Sequence, residues 1–310
     1  MAASLSLTDT GIGQPVRRRE DLRLLTGRGR YSDDIDVPGQ AYAVMVRSRY
    51  AHARIRSLDV ESTAAAPGVL AVLTGRDMLA DGLRPIPHAV RTGHPVDIQL
   101  ENADGSPPFI PPHYPLVTDE VRHVGDIVAV VVATSRAAAK DAAELVMVDY
   151  NELPAVVHSR EAVAPGAPHA WSDAASNLCL DATVGDAAAT DAAFAVATHV
   201  VRFGTSVQRI AGVTMEPRAA IGEYDATTGR YTLHAGAGGA VRPRHDMAVV
   251  LGVADEDVRM VMHDVGGNFG TRGASNPEFA LVCWAARRIG RPVKWTCERS
   301  EAFLCDYQAR

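Results

Sequence analysis

Two glycine-rich stretches of this chain have the composition and position of ligand-binding loops. The first is VGGNFGTR at residues 265–272, and the second is AGAGGA at residues 235–240. Glycine permits positive φ angles and lets another group approach the backbone closely. Backbone amides in such loops can therefore converge on an anion, and the positive end of a following helix strengthens the attraction.

Two common nucleotide-binding motifs are absent from these loops. The glycine spacing of the first loop differs from G-x-G-x-x-G, and no Gly-Lys-Ser or Gly-Lys-Thr occurs in it. Neither a dinucleotide fingerprint nor a Walker loop is therefore indicated. Each loop by itself could be a tight connection without a ligand. Because two such loops fall in one region, a shared polyanionic or extended ligand is an equally open interpretation.

The flanking residues predict a strand before each glycine loop and a helix after it. The predicted strands cover 230–237 and 257–265, and the predicted helices cover 242–252 and 277–290. The last helix is the clearest, because its apolar residues recur at helical spacing, Pro277 suits its first position and Gly290 suits its end. Other strands are predicted at 197–210, 218–225 and 292–298.

The N-terminal half of the chain predicts a small α+β domain. Its predicted strands are 41–48, 69–73, 127–133 and 146–150, with a helix from 136 to about 146. A long surface excursion rich in proline, glycine and histidine is predicted at 80–120. These patterns divide the chain into an N-terminal arm at 1–19, a first domain at 20–156, a linker at 157–190 and a second, unfinished domain at 191–310.

Composition excludes several classes of protein. The chain has 310 residues, 47% of them hydrophobic, and a net charge of -6, so a packed core is expected and a nucleic-acid-binding surface is not. No signal peptide and no membrane span are predicted. The cysteines form no C-x-x-C pair, so we expect no metal site from this chain alone and reduced thiols in a soluble cytoplasmic protein. They are Cys179, Cys283, Cys297 and Cys305.

Several ordered motifs resemble one enzyme family. The segment DVGGNFGTR at 264–272, followed by PEFALVCWAARRIGRPVKWTCERSEAFLCDYQAR at 277–310, is similar to the molybdenum-binding large subunit of the xanthine dehydrogenase, aldehyde oxidase and aerobic carbon monoxide dehydrogenase family. The motifs VRRREDLRLLTGRGRYSDDI, VRSRYAHARIRSLD and MEPRAAIGEYD extend the similarity from about residue 16 to the end. The resemblance implies an α+β fold: an α/β-hammerhead domain, then the first part of a mixed α/β molybdopterin-binding domain.

The resemblance also implies a cofactor, partners and a reaction. The cofactor is molybdenum–molybdopterin, often in the cytosine dinucleotide form in bacterial members. The reaction is the oxidation of an aldehyde, an N-heterocycle or a similar small molecule with water as oxygen source. Electrons pass to 2Fe-2S clusters on an iron–sulfur small subunit and to FAD on a medium subunit. Phe269 is placed near the substrate space and Arg272 helps to position the loop. The implied cofactor-binding residues are Gly238, Gly239, Gly266, Gly267, Asn268, Phe269, Gly270 and Arg272.

The chain departs from the family pattern at three places. Gly238 stands where the family commonly has a glutamine near the metal, and Gly273 stands where purine-oxidising members have a glutamate, so xanthine is disfavoured as substrate. The glutamate that serves the family as general base falls beyond Arg310, so no catalytic residue is assigned. We therefore expect the isolated chain to be inactive. The alternative is a non-catalytic assembly module, truncated or encoded by a split gene, that needs a partner chain carrying the C-terminal segment to complete the site.

Four other polar residues receive structural interpretations. We interpret Glu216 as part of the turn at Met-Glu-Pro and Glu301 as a surface or helix-start charge, so neither inherits the role of general base. We expect His52 to pack or hydrogen-bond within the first domain. We expect His263, just before the first glycine loop, to hydrogen-bond at the strand end rather than to carry protons.

Overall fold

The computed structural model describes residues 17–88, 98 and 100–307 as an arrangement of two β-sheets with helices. The strands are β1 Ala41–Arg47, β2 Ala53–Asp59, β3 Val69–Thr74, β4 Glu120–Val121, β5 Ile127–Ala133, β6 Met147–Glu152, β7 Ala219–Asp225, β8 Arg230–Ala235, β9 Val258–Val261 and β10 Val293–Thr296. The helices are α1 Asp21–Leu25, α2 Glu61–Ala64, α3 Gly75–Ala80, α4 Arg136–Ala143, α5 Ser159–Ala162, α6 Ala187–Val196, α7 Val241–Leu251, α8 Pro277–Ile289 and α9 Arg299–Cys305.

The larger sheet joins both halves of the chain. Its strand order is β3-β5-β1-β10-β7-β8-β9 over the described residues. Strand β1 pairs in parallel with β10, with Ala41 opposite Val293. The smaller sheet, in the order β4-β2-β6, is antiparallel. The regions predicted on either side of the segment 157–190 therefore share one hydrogen-bonded sheet, and the domain boundaries themselves remain a prediction.

The first part of the large sheet is built on β5. All of its residues are buried, and it lies between β1 and β3, which both run antiparallel to it. An unbroken run of apolar, mostly β-branched residues is typical of a strand that is covered on both faces. The prediction of a buried strand at 127–133 is confirmed.

Helix α8 packs directly against β7 and supplies much of the core. A side-chain carbon at Gly222 on β7 would lie 2.4 Å from the backbone nitrogen of Cys283 on this helix. Glycine at this position lets the helix backbone approach the strand closely. The helix ends at Gly290 in the left-handed conformation, as its sequence predicts. Its buried face includes Phe279, Trp284 and Ala286.

Two predictions about the backbone are wrong. The predicted strand at 197–210 has no regular structure, and its apolar side chains are exposed: Val201 by 89% and Phe203 by 87%. A strand needs a neighbouring ladder, and no described segment pairs with this one. The excursion predicted at 80–120 is not confined to the surface, because Leu83, Ile86 and Leu116 belong to the main core.

The remaining differences concern where elements begin and end. Strand β9 stops at Val261, four residues earlier than predicted, which lengthens the loop that follows. The predicted arm at 1–19 lies outside the described residues up to residue 16. Within the described part of the chain, every helix is too short or too polar to cross a membrane.

Candidate functional site

Both predicted glycine loops lie at the carboxyl ends of neighbouring strands. Strands β8 and β9 are parallel, with His234 opposite Val261, and helices α7 and α8 follow the two loops. The loops contact each other, since the amide of Gly238 donates to the carbonyl of Arg272 over 2.9 Å. In open α/β sheets, ligands bind in the crevice outside the carboxyl ends of the strands. The structure therefore brings the two sequence motifs together at such an edge.

A buried ion pair holds the first loop in place. The Oε2 atom of Glu216 accepts from the amide of Gly266 at 2.7 Å and from Nη1 of Arg272 at 2.8 Å. Its Oε1 atom accepts from the amide of Ser32 at 3.1 Å, and Nη2 of Arg272 donates to the Glu216 carbonyl at 2.9 Å. The structural interpretation of Glu216 is confirmed, and Arg272 positions the loop from inside the protein.

Asn268 shapes the turn at the tip of this loop. Its Oδ1 atom accepts from the amides of Gly270 and Arg272, both at 3.1 Å, and its carbonyl accepts from the amide of Thr271 at 2.9 Å. Among the residues that the structure describes, no acceptor engages the amides of Gly267, Asn268 and Phe269. Three successive amides are thus free to bind an acceptor group.

The glycines of the two loops serve different purposes. A side-chain carbon at Gly266 would lie 2.5 Å from Cβ of Glu216, and one at Gly238 would lie 3.0 Å from the carbonyl oxygen of Arg272. Gly267 and Gly270 have φ angles of 121° and 88°, which L side chains rarely adopt. Gly239 has open space on its side-chain side. Four of these glycines are therefore needed for the shape of the loops, whereas Gly239 leaves room beside them.

Phe269 stands out from the loop. Its side chain is 67% exposed, and its φ angle of 48° is uncommon for an aromatic residue. Backbone strain of this kind clusters at functional sites. The structure thus presents an apolar ring directly beside the three free amides.

Arg272 and Asn276, both near the loop, have buried side-chain atoms without a partner in the described part of the chain. The Nε atom of Arg272 and both side-chain polar atoms of Asn276, which immediately precedes α8, have no hydrogen bond among the described residues. Buried polar groups are almost always paired in native proteins, so both residues are candidates for contact with a bound group. Sequence reasoning missed Asn276, because a buried asparagine before a helix has the pattern of an ordinary N-cap.

A salt bridge at Asp264 holds the backbone that leads into the first glycine loop. Two nitrogens of Arg23 donate to the carboxylate of Asp264 at 2.5 and 2.7 Å, and the amide of Arg30 donates to it at 2.7 Å. The hydrogen bond from Arg23 holds the pKa of Asp264 well below its usual range. The start of the predicted first domain is thereby tied to the residue just before the glycine loop.

His263 does not fulfil its predicted role. Its ring stacks on that of His234, with centroids 5.8 Å apart and planes within 5°. The Nε2 atom of His263 is buried and has no partner among the described residues. Burial, followed by the nearby His234 and Arg30, lowers the pKa of His263, which favours a neutral stacked ring. The expectation of a hydrogen bond at the strand end is therefore wrong.

The structure confirms the interpretation of His52 and part of that of Glu301. His52 hydrogen-bonds to the carbonyl of Pro154 at 2.8 Å and to the carboxylate of Glu120 at 3.0 Å, as expected within the first predicted domain. Glu301 lies in the first turn of α9, where its carboxylate accepts from the amide of Glu298 at 3.2 Å. Glu301 is therefore a helix-start charge, but it is not on the surface, because it also pairs with a buried arginine.

That arginine belongs to a buried network beneath α8. Arg47 donates to Glu278 at 2.6 Å and to Glu301 at 2.7 Å, while Arg218 donates to Glu278 at 2.8 Å and to Asp306 at 2.6 Å. Burial alone would raise the pKa of Glu278, but the two arginines lower it to about 2. No sequence pattern indicates this network, because most of its members are far apart along the chain.

Comparison with known proteins identifies the family. Residues 26–154 match the family model for the aldehyde oxidase and xanthine dehydrogenase a/b hammerhead domain, and residues 170–310 match that for the molybdopterin cofactor-binding domain. The chain belongs to the xanthine dehydrogenase, aldehyde oxidase and carbon monoxide dehydrogenase family of molybdenum-binding large subunits. The mixed α/β fold class predicted for such a large subunit is confirmed by this match and by similar solved structures.

Individual members of this molybdenum hydroxylase family are similar over nearly the whole chain. The 6-hydroxypseudooxynicotine dehydrogenase complex subunit gamma of Paenarthrobacter nicotinovorans is 35% identical over 303 residues, which are 96% of this chain and 36% of that one. The carbon monoxide dehydrogenase large chain of Afipia carboxidovorans is 31% identical, with 96% and 36% covered. The crystal structure of quinoline 2-oxidoreductase from Pseudomonas putida 86 matches with a TM-score of 0.78 and 37% identity, covering 94% of this chain and 35% of that one. This chain thus spans about a third of the length of these three relatives.

Proposed function

We propose that this chain forms one wall of the molybdopterin site in a molybdenum hydroxylase large subunit. The observation that carries the proposal is the run of three free amides at Gly267, Asn268 and Phe269, at the carboxyl edge of parallel strands. Amides in this arrangement suit a cofactor rich in acceptor oxygens. The match of residues 170–310 to a molybdopterin cofactor-binding domain supports the same assignment.

We propose different roles for the residues of the two loops in binding such a cofactor. The three amides donate to its acceptor atoms, and the open space beside Gly239 admits part of it. Gly238, Gly266 and Gly270 hold the loops in shape, and Arg272 locks the first loop through Glu216 while its Nε atom stays free to donate. When bound, the molybdenum–pterin group supplies oxygen-transfer and two-electron redox chemistry. We propose the cytosine dinucleotide form, as is frequent in the bacterial enzymes that this chain resembles.

The exposed ring of Phe269 is proposed to border the substrate space. A ring that is 67% exposed next to the amides offers an apolar, flat surface to a planar substrate. Relatives named for quinoline and for 6-hydroxypseudooxynicotine favour an N-heterocycle or a related small molecule. We propose its oxidation with water as oxygen source. The glycine at position 273, beside Arg272, makes a purine the less favoured substrate.

Electron transfer is proposed to require other subunits. One relative is named as a subunit of a complex and another as a large chain, which supports an iron–sulfur small subunit and an FAD medium subunit as partners. The cysteines of the described residues are free thiols, and this supports a cytoplasmic location.

A second candidate function is that of an assembly module that acts only with a partner chain. An exposed apolar segment that starts in the last turn of α6 and ends before β7, which we call the 194–215 segment, favours it. Val201, Phe203 and Met215 are each exposed by 87% or more, and a concentration of exposed apolar side chains supports an interaction site. We propose that this segment docks on the remaining part of the family's large subunit and that the chain alone has no activity.

Metal analysis tests both candidates. The 310-residue chain is purified from a host that makes molybdopterin, alone and co-expressed with a segment supplying the rest of a family large subunit. Molybdenum and pterin fluorescence on the chain alone would support independent cofactor binding. Their appearance only in the complex would support the assembly module, and their absence from both samples would overturn the proposal.

A glycine substitution then tests the loop itself. Gly270→Val in the complex is expected to abolish molybdenum retention, because valine disfavours the φ angle of 88°. Gly229→Val is the matched control, since its φ angle is 72° in the open turn between β7 and β8. Equal molybdenum content in the two variants, with normal circular dichroism, would contradict a role for this loop in binding.

A further inference from the structure

Two cysteines that are eight residues apart meet beneath the sheet. Cys297 follows β10 and Cys305 ends α9, and their sulfur atoms lie 3.9 Å apart. Both are free thiols. Cys297 is only 2% exposed, whereas Cys305 is partly exposed and lines a cavity of about 510 Å³. The pair therefore combines a partly exposed cysteine that borders a cavity with a buried cysteine.

An arginine contacts the sulfur of the partly exposed cysteine directly. Nη2 of Arg218 donates to Sγ of Cys305 at 2.9 Å. The other nitrogens of Arg218 are held by Glu278 and Asp306, so the guanidinium is fixed in this position. Partial exposure and an adjacent arginine are two features of reactive cysteines. Cys297 differs, because its hydrogen bond with Cys305 and its burial raise the pKa of its thiol.

We propose that Cys305 and Cys297 form a peroxide-reactive dithiol that closes to a disulfide. The Cys305 sulfur attacks one oxygen of hydrogen peroxide and the O–O bond breaks. The departing oxygen leaves as water with the Cys305 proton, and Cys305 becomes a sulfenic acid. The Cys297 sulfur then attacks the Cys305 sulfur, and the S–O bond breaks. The hydroxyl group leaves as a second water with the Cys297 proton, so two thiols are oxidised by two electrons and one peroxide is reduced.

The geometry favours a disulfide-forming pair over a metal site. The sulfur atoms must approach from 3.9 Å to a bond length of about 2.05 Å, a small movement at the end of a short helix. A carboxylate oxygen of Glu301 also lies within 4.8 Å of both sulfurs, which is a spacing that could hold a metal ion. However, Arg47 already donates to Glu301 at 2.7 Å and Arg218 donates to Cys305 at 2.9 Å, so two of the three candidate ligands are already engaged by arginines. The thiol pair is therefore the chemistry that the surroundings support.

Peptide mapping tests the disulfide in the wild-type chain. The reduced 310-residue protein is treated with one equivalent of hydrogen peroxide, alkylated and cut with trypsin. Cleavage after Lys294 and Arg299 places the two cysteines on separate peptides, WTCER and SEAFLCDYQAR. We expect these peptides to be joined and to separate on reduction. A bond from Cys305 to the exposed Cys179, which lines the same cavity, or no bond at all, would overturn the proposal.

Trapping of the sulfenic acid tests which sulfur reacts first. In Cys297→Ser, dimedone is expected to label Cys305 about ten-fold more than in the Cys297→Ser/Cys305→Ser double variant. Cys179→Ser is the matched control and should still form the disulfide. Sulfenate at Cys297 in Cys305→Ser, with none at Cys305 in Cys297→Ser, would reverse the order. Stoichiometric zinc that survives chelation and is lost in Cys297→Ser would replace the dithiol with a metal site.

Discussion

The guanidinium of Arg272 and the carboxylate of Glu216 form a buried ion pair, 2.8 Å apart, that joins the glycine loop to the segment before β7. The same carboxylate also binds the amide of Gly266 at the start of the loop. One side chain thus fixes both ends of the loop, so that its central amides stay free.

Breaking this pair is expected to destabilise the protein strongly. Arg272→Met leaves the Glu216 charge buried without its partner, and losses of about 3–5 kcal/mol are typical for such changes. Glu216→Gln is expected to cost less, because the amide oxygen can still accept from Gly266. Urea unfolding of both single variants and the double variant measures the coupling. A double variant whose loss equals the sum of the two single losses would show that the residues act independently.

The two glycine loops offer a matched pair of alanine substitutions. Gly266→Ala places a methyl group 2.5 Å from Cβ of Glu216, and overpacking of this kind costs about 1–3 kcal/mol. Gly239→Ala meets nothing within 4 Å, so its stability should stay within about 0.5 kcal/mol of the wild type. Chemical denaturation of both variants measures the difference. Similar losses in both would mean that the contact with Glu216 does not dictate glycine at position 266.

His113 should make stability depend on pH. Burial, and secondly the nearby His88, lowers the pKa of His113 from 6.5 to about 4. Because the folded state disfavours the proton, this contribution is fully present above pH 6.5 and is lost as the pH falls from 6.5 to 4. Wild-type protein should therefore lose more stability between pH 7 and pH 5 than His113→Gln, as measured by urea midpoints.

An exposed histidine provides the control for that experiment. His199 is exposed, so His199→Gln should keep the pH dependence of the wild type. If His113→Gln and His199→Gln show the same loss of stability between the two pH values, the buried histidine does not contribute to the acid sensitivity.

The 194–215 segment can be tested by making it polar. Phe203→Asp should change the free energy of unfolding by no more than about 0.5 kcal/mol, because the side chain is 87% exposed. It should lower the binding of a hydrophobic dye and prevent association with the rest of a family large subunit. Leu25→Asp, at an exposed leucine in α1, is the control that should keep that association. Unfolding of the Phe203 variant would show that the ring packs within this chain.

Local patterns determined those parts of the fold that depend on near neighbours. Two elements were defined in this way: the strand with the β-branched run at 127–133 and the helix from Pro277 to Gly290. The signals for burial and capping lie in nearby residues of the sequence. The glycine loops could be found for the same reason, since the backbone they require is encoded locally. The prediction of a strand at 197–210 is wrong. Its residue pattern suits a strand, but a β-ladder also requires a partner strand.

Tertiary structure decided everything that depends on distant partners. The pairing of β1 with β10, the two roles of Glu216 and the meeting of Cys297 with Cys305 join residues that no local pattern links. The sequence by itself determined the family, the main elements and the glycine motifs. Only the folded chain determined which amides stay free, because a hydrogen bond to a remote carboxylate decides which backbone groups are already occupied.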